Sequence, residues 1–255
     1  MQTPPVIDLA QLRRGCSQCS LQQLCLPAGI DHVEMARLDD IVKRRRPVER
    51  GDRLFRPGDA MHAVYVARDG AFKTTRLNED GEEQVMGFHI AGELIGLDAL
   101  GTGVHRCEAI ALVTANVCEV PFHELGNVAA LLPGLQQQLL RVIGQSVDRD
   151  HDHMDMLARK QATERIALFL HGLGERLAYI GHSAIDFKLP MSREDIARYL
   201  GLALETVSRS FTRLQDDGVI SVTGRHVEIL DQSELNRLAH GVEPTPEPSK
   251  ARLPR

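Results

Sequence analysis

The stretch PMSREDIARYLGLALETVSRSFTRLQDDGVISVTGRHVEIL, residues 190–230, decides the fold of the C-terminal part of the chain. Ser192 can cap a helix, with Asp195 three residues later as a short-armed relative of the capping-box glutamate. Ile196 and Leu200 fall on one face of that helix, Gly201 permits a tight turn, and Leu202 supplies an apolar plug. A second helix starts near Leu204, turns Val207, Phe211 and Leu214 inward, and ends at Gly218. Helix, short glycine-bearing turn, helix is the helix-turn-helix pattern. The second helix leaves Glu205, Ser208 and Arg209 on its outer face near the N-terminal end, where a recognition helix reaches base edges. Arg209 suits guanine O6 and N7, Glu205 suits cytosine N4, and Ser208 suits a base or a phosphate. Thr206 and Arg213 on the same helix are further candidates for DNA contact. Ile220-Ser221-Val222 and His226-Val227-Glu228-Ile229, joined through Thr223-Gly224-Arg225, read as a two-stranded wing from which Arg225 reaches a phosphate. A plain three-helix domain would share the apolar spacing but has no need of the wing or the polar outer face.

Nothing else in the composition announces nucleic acid. The 255 residues carry a net charge of −5, so any DNA contact has to come from local geometry. The dense basic run Lys43-Arg44-Arg45-Arg46 reads as a solvated helix end. No apolar run is long enough to span a bilayer, and residues 1–14 lack a signal-peptide core, so a cytoplasmic location is expected.

Upstream of the helix-turn-helix the pattern changes period. Turn signals such as Arg56-Pro57-Gly58-Asp59, Ala67-Arg68-Asp69-Gly70 and Asn78-Glu79-Asp80-Gly81 separate short apolar runs, including Ala63-Val64-Tyr65-Val66-Ala67 and Val85-Met86-Gly87-Phe88-His89-Ile90. Many short strands at regular spacing suggest a small barrel or jelly roll. After Pro133 the period becomes helical. Leu140, Ile143, Val147, Asp150, Met154 and Leu157 follow alternating steps of three and four, the seam of a helix that pairs with a like helix. Asp150 would face its twin across a two-fold axis, making the seam weak and switchable. A helix packed on its own domain is the competing reading. The expected organisation is a cysteine-bearing arm over residues 1–29, a β-roll over 30–130, a dimerisation helix over 131–160, a winged helix-turn-helix over 161–235 and a disordered tail over 241–255. The fold class is α+β.

The five cysteines are Cys16, Cys19, Cys25, Cys107 and Cys118. With no secretion signal, disulfides are disfavoured and metal chemistry is the better question. Cys16, Cys19 and Cys25 form C-x2-C-x5-C, a spacing that turns soft thiolates toward iron or zinc. A closed site takes four ligands, so a fourth comes from Cys107 or Cys118. Spacing alone does not separate zinc from an iron–sulfur cluster. His62, His89 and His105 have no metal-ligand spacing, and the run His151-Asp152-His153-Met154-Asp155 reads as a solvated helix face.

Together these pieces resemble the fumarate-and-nitrate-reduction regulators (FNR), in the superfamily of the cyclic-AMP receptor protein. The resemblance runs from about Cys16 to Leu230 and is carried by CSQCSLQQLCLP, KRRRPVERGDRLFRPGD, GEEQVMGFHIAGELIGLDALG, VCEVPF and YLGLALETVSRSFTRLQDDGVI. It implies a cyclic-nucleotide-binding-like β-roll, a long dimerisation helix and a winged helix-turn-helix. It implies a [4Fe–4S] cluster on Cys16, Cys19, Cys25 and Cys118, the last matched by its place before Pro121-Phe122, and leaves Cys107 as a buried thiol. Glu205, Ser208 and Arg209 match the base-reading E-x-x-S-R, which implies palindromic DNA with TTGAT-like half-sites. The implied partners are DNA, RNA polymerase and a second copy of the chain. The implied trigger is oxygen, which converts the cluster to a [2Fe–2S] form and beyond, dissolves the dimer and lowers DNA affinity. The rival on the same fold is a cyclic-nucleotide sensor, whose phosphate turn uses a Gly-Glu pair and a later Arg-Ser. Here Gly92-Glu93 is present, and Arg106-Cys107 stands roughly where the second pair would be. A β-barrel metalloenzyme lacks support, because no H-x-H pattern and no nucleophile–base pair is visible.

Overall fold

In a computed structural model of the chain, the described residues are 16–28, 30–44, 47–159 and 161–240. The start of the expected arm, Arg45 and Arg46 of the basic run, and the expected tail lie outside them. The chain divides into two compact units, residues 1–150 and 151–255. Among the described residues no helix is long and apolar enough to cross a membrane.

Among the described residues of the first unit, a short 3-10 helix at Cys16–Gln18 and helix α1 (His32–Ile41) come first. Eight strands follow: β1 (Lys43–Arg44), β2 (Arg53–Phe55), β3 (Ala63–Ala67), β4 (Ala71–Leu77), β5 (Glu83–Ile90), β6 (Leu94–Ile95), β7 (Glu108–Ala111) and β8 (Val117–Pro121). They form two four-stranded antiparallel sheets, ordered β1-β8-β3-β6 and β2-β7-β4-β5. This is the jelly roll that the turn spacing foretold. Helices α2 (Phe122–Leu131) and α3 (Pro133–Ala158) come next. Helix α1 differs from the β-rich reading of this stretch. Met35, Leu38 and Ile41 carry helical spacing, and the first two are buried in the core.

Strand alternation sorts the core into two layers. Ala63, Tyr65, Ala67 and Val117 point between the sheets, where they meet Phe55, Phe72 and Ile95. Val64, Val66 and Val120 point the other way, into a cluster with Leu26, Met35, Leu38, Leu125, Leu135 and Val142. Cys118 is in step with Val120, so its side chain also joins that outer, helix-covered layer. One turn is sterically fixed: Gly70 has φ +70°, and an added Cβ would lie 2.5 Å from the Cβ of Ala115.

The second unit packs α4 (Ala162–Tyr179) against α6 (Leu204–Asp216) and α7 (Gln232–His240), and α5 (Arg193–Leu200) against α6. Its wing is a three-stranded antiparallel sheet, ordered β10-β11-β9, of β9 (Asp186–Lys188), β10 (Ile220–Thr223) and β11 (His226–Ile229). The third strand, β9, and helix α7 go beyond the sequence reading. Three residues of strand with one buried member, Phe187, give too little alternation to recognise.

Candidate functional site

Two sites were expected, and each is built within its own unit. In the first unit a chain of tight turns carries the arm cysteines. The Cys19 amide donates to the Cys16 carbonyl (3.2 Å), Gln22 to Cys19 (3.1 Å), Cys25 to Leu21 (3.0 Å) and Ala28 to Cys25 (3.0 Å). Leu21 and Leu26 are buried, and Leu26 anchors this loop to the outer core layer. The Cys16 amide also donates to Oδ1 of Asp39 on α1 at 2.6 Å.

Cys118 comes to the same place from β8, paired with Arg44 on one side and Val66 on the other. Cys16, Cys25 and Cys118 all pack on one apolar cluster. Cys16 feels Cys118 and Cys25, and Cys25 feels Cys118 and Cys19. All five cysteines of the chain are thiols, and Cys107 is not in this group. It is buried beside Asp98, where burial first and then that carboxylate push its pKa up to about 11.

Burial raises the Cys16 thiol far above its ordinary value, and the adjacent Asp39 adds to the rise. Burial also pushes Cys25 up to about 12, against a small opposing effect of a backbone hydrogen bond at Leu26. Thiolates so placed need a cation to hold their charge, which is what a bound metal centre provides. The four-sulfur donor set thus fits a soft iron or zinc centre in its chemistry. It is gathered rather than closed: among the described residues no three His, Cys, Asp or Glu side chains are drawn to metal-holding separation.

The backbone amides of Arg106 and Cys107 and the carboxylate of Glu93 already have partners inside the chain. Oδ2 of Asp98 accepts the backbone N–H groups of Arg106 (2.8 Å) and Cys107 (3.1 Å), and Oδ1 faces Nδ1 of the buried His105 at 3.1 Å. Glu93 accepts the Ile90 amide at 3.0 Å and pairs with Arg149 of α3 at 3.8 Å.

Helix α3 has two neighbouring apolar stripes. Leu135, Gln138 and Val142 are buried within the first unit, whereas Leu140 is 65% exposed and Val147 45% exposed. Ile143 is half-buried and Asp150 exposed. In the second unit Met154 is 58% exposed and Leu157 half-buried. One stripe covers the chain's own core, and the seam read from the sequence is the other. The solvated-face reading of residues 151–155 needs correction at His153. It is buried, its Nε2 lies 2.7 Å from the Tyr199 carbonyl, and its ring stacks on that of Tyr199 at 3.9 Å.

In the second unit the helix-turn-helix has the local chemistry its sequence calls for. The Ser192 hydroxyl accepts the Asp195 amide at 3.0 Å, while Asp195 Oδ2 accepts the Ser192 amide at 2.9 Å, a reciprocal cap. Gly201 takes φ +62° at the turn, a left-handed conformation that glycine adopts without strain. Ile196, Leu200, Val207, Phe211 and Leu214 are all buried. Glu205, Ser208, Arg209 and Arg213 are exposed and Thr206 is half-buried. Ser208 donates to the Leu204 carbonyl at 3.0 Å, and Arg213 lies 3.8 Å from Asp217. Arg225 is half-buried, and its Nη1 donates to the Pro190 carbonyl at 3.1 Å, so one edge of its guanidinium ties the wing to the start of α5.

Sequence reasoning passed over Arg193. It sits in the first turn of α5, where the helix dipole disfavours a cation. Its guanidinium lies 3.2 Å over the Phe211 ring, its Nη1 is buried without a hydrogen-bond partner, and burial lowers its pKa to about 10. An arginine at the wrong end of a dipole was the available signal.

Comparison with known proteins agrees with this architecture. Residues 164–238 match the Crp-like helix-turn-helix domain, and residues 45–130 match the cyclic nucleotide-binding domain. The chain is 46% identical over 232 residues to the transcriptional activator protein FnrA of Stutzerimonas stutzeri, covering 91% of this chain and 95% of that one. It is 47% identical over 226 residues to the transcriptional activator protein anr of Pseudomonas aeruginosa, covering 89% and 93%. With the fumarate and nitrate reduction regulatory protein of Escherichia coli K12 it shares 40% identity over 224 residues, covering 88% and 90%. Among solved structures, FixK2 of Bradyrhizobium japonicum superposes with a TM-score of 0.70 at 30% identity, over 78% of this chain and 97% of that one. The chain therefore belongs to the FNR branch of the Crp/FNR superfamily and is a transcription regulator, not an enzyme.

Proposed function

We propose that this regulator responds to oxygen through a [4Fe–4S] cluster held by Cys16, Cys19, Cys25 and Cys118. The observation that carries the reading is the convergence of thiols from the arm and from β8 on one apolar cluster that also takes in the start of α3. When bound, such a cluster supplies an oxygen-labile inorganic core. The chain's own residues do the rest. Leu26 and Leu21 fix the arm loop, Asp39 holds the Cys16 backbone, and Cys118 ties the arm to the sheet just before α2 and α3. Ligation joins these elements, and its loss releases them. The seam Leu140, Ile143, Val147, Asp150, Met154 and Leu157 pairs with its copy in a homodimer, supported by the exposure of Leu140, Val147 and Met154 in the single chain. Glu205, Ser208 and Arg209 read TTGAT-like half-sites of a palindrome, with Thr206, Arg213 and Arg225 at the edge of the contact.

The same proposal assigns residues 30–130 to sensing, 131–160 to dimerisation and 161–235 to DNA. It places the protein in the cytoplasm, where thiols stay reduced. Its dimer engages RNA polymerase, as activators named among its relatives suggest. Cyclic-nucleotide sensing is the weaker reading, although the roll matches the cyclic nucleotide-binding domain, because Asp98 takes the backbone amides of Arg106 and Cys107 and Glu93 is paired with Arg149.

The test is to reconstitute the full chain anaerobically with iron and sulfide. The expected result is a brown protein with four irons per chain, which dimerises and binds a TTGAT palindrome, and which loses colour, dimer and DNA affinity together in air. A colourless protein with the same DNA affinity in both atmospheres would refute the reading.

The seam gives a second prediction. Asp150→Ala removes a like-charge contact between the two copies, weakened by its exposure to solvent, and is expected to strengthen dimerisation about three- to tenfold. Sedimentation of the air-exposed variant should show a dimer fraction that wild type lacks. Equal fractions would remove Asp150 from the switch.

A further inference from the structure

We infer that Gln138 is the positioning residue through which the cysteine loop sets the pose of the dimerisation helix. The inference rests on the cluster reading above and names the link that reading leaves open. Gln138 is 7% exposed, and its Nε2 donates to the Cys25 carbonyl at 3.0 Å across 113 residues of sequence. It lies on the buried stripe of α3 between Leu135 and Val142, one step round the helix from the seam residues Leu140, exposed, and Ile143, half-buried. The Cys25 carbonyl also accepts the Ala28 amide at 3.0 Å, so Gln138 and the loop's own turn share one acceptor. That acceptor belongs to a proposed ligand, and moving the Cys25 loop moves it.

A second polar tie holds α3 further along. Arg149 pairs with Glu93 of the roll at 3.8 Å. The 11 helical steps from Gln138 to Arg149 span about 16 Å. The Glu93 tie involves no cysteine and stays put when the loop shifts, whereas the Gln138 tie depends on it. With Leu135 and Val142 keeping α3 on the outer core layer, loss of the conditional polar tie while the other remains changes the tilt of the helix on that layer. The seam residues between the ties, Leu140, Ile143 and Val147, are the ones such a tilt misaligns. A buried amide that loses its only good acceptor shifts an equilibrium by about five- to a hundredfold, enough to move a weak dimer from mostly paired to mostly single.

The test compares wild type with Gln138→Met, which keeps length and flexibility but has no donor, and with Gln138→Glu, which sets a carboxylate against the carbonyl. Each full-length protein is loaded anaerobically with iron and sulfide. Iron content, absorption spectrum and the dimer constant are measured before and after air. In Q138M we expect normal iron content and a normal spectrum, but a loaded dimer constant within about threefold of its air-exposed value. Q138E should lose the loaded dimer as well. Full coupling of iron to dimer in Q138M would overturn the inference. Loss of iron in Q138M would overturn it too, because Gln138 would then serve the pocket rather than the helix. Absence of iron from wild type is a separate outcome, which removes the cluster reading itself.

Discussion

Cys118→Ser is expected to leave the protein folded and colourless, with anaerobic DNA affinity lowered about a hundredfold to about ten-thousandfold. The size of the effect follows from linkage. Two half-site contacts made by one dimer raise avidity over a single contact by that range, and a chain that cannot assemble its cluster falls back to the monomer value. Serine supplies a hard oxygen where soft iron needs a thiolate, so three ligands remain of four. Folding should survive, because Cys118 is only half-buried, and its strand keeps its backbone pairing with Val66 and Arg44 whatever the side chain. Cys107→Ser is the matched control. Cys107 is buried beside Asp98, away from the other four thiols, and its variant should load iron as wild type does. Iron and sulfide analysis, circular dichroism and an anaerobic DNA-shift titration on the two variants decide the matter. Full iron occupancy and unaltered affinity in C118S would dismiss the four-thiol assignment.

What could be read from the sequence was whatever depends on neighbours in the chain. The cap at Ser192 and Asp195, the left-handed Gly201 and the buried faces of α5 and α6 are local events, and spacing alone located them. The arm cysteines were legible for the same reason. Cys118 was not: alternation could have said which face of β8 it occupies, but only the fold says that this face looks onto the arm. Its assignment came from the resemblance of VCEVPF to the FNR pattern. His153 was misread because its neighbours are polar, whereas its burial is due to Tyr199, far along the chain. Gln138 stands in a run of three glutamines of identical chemistry, and only its phase with Leu135 and Val142 separates it from Gln136 and Gln137, which are exposed. Strand β9 and Arg193 passed unnoticed because a three-residue strand and a single arginine have no period to detect.

Arg209→Ala is expected to abolish discrimination at one base pair of each half-site while leaving iron content and dimerisation unchanged. An arginine bound to guanine through two hydrogen bonds discriminates by about 1–3 kcal/mol. A symmetric dimer makes the contact twice, so affinity for the palindrome should fall between about 30-fold and about 25,000-fold. The fold should not suffer. Arg209 is exposed on α6, opposite the buried Val207, Phe211 and Leu214, so no packing is lost. The pattern across sequences matters more than the size. Removing a base contact weakens the cognate site and spares random DNA, whereas removing a phosphate contact weakens both alike and lowers the salt dependence. Arg213→Ala, at an exposed position further along the same helix, is the phosphate-side comparison. A binding series over half-sites altered one base at a time should show R209A indifferent at a single position and wild type selective there. If R209A lost affinity equally for cognate and random DNA, Arg209 would be a backbone contact, and sequence reading would have to pass to Glu205 and Ser208.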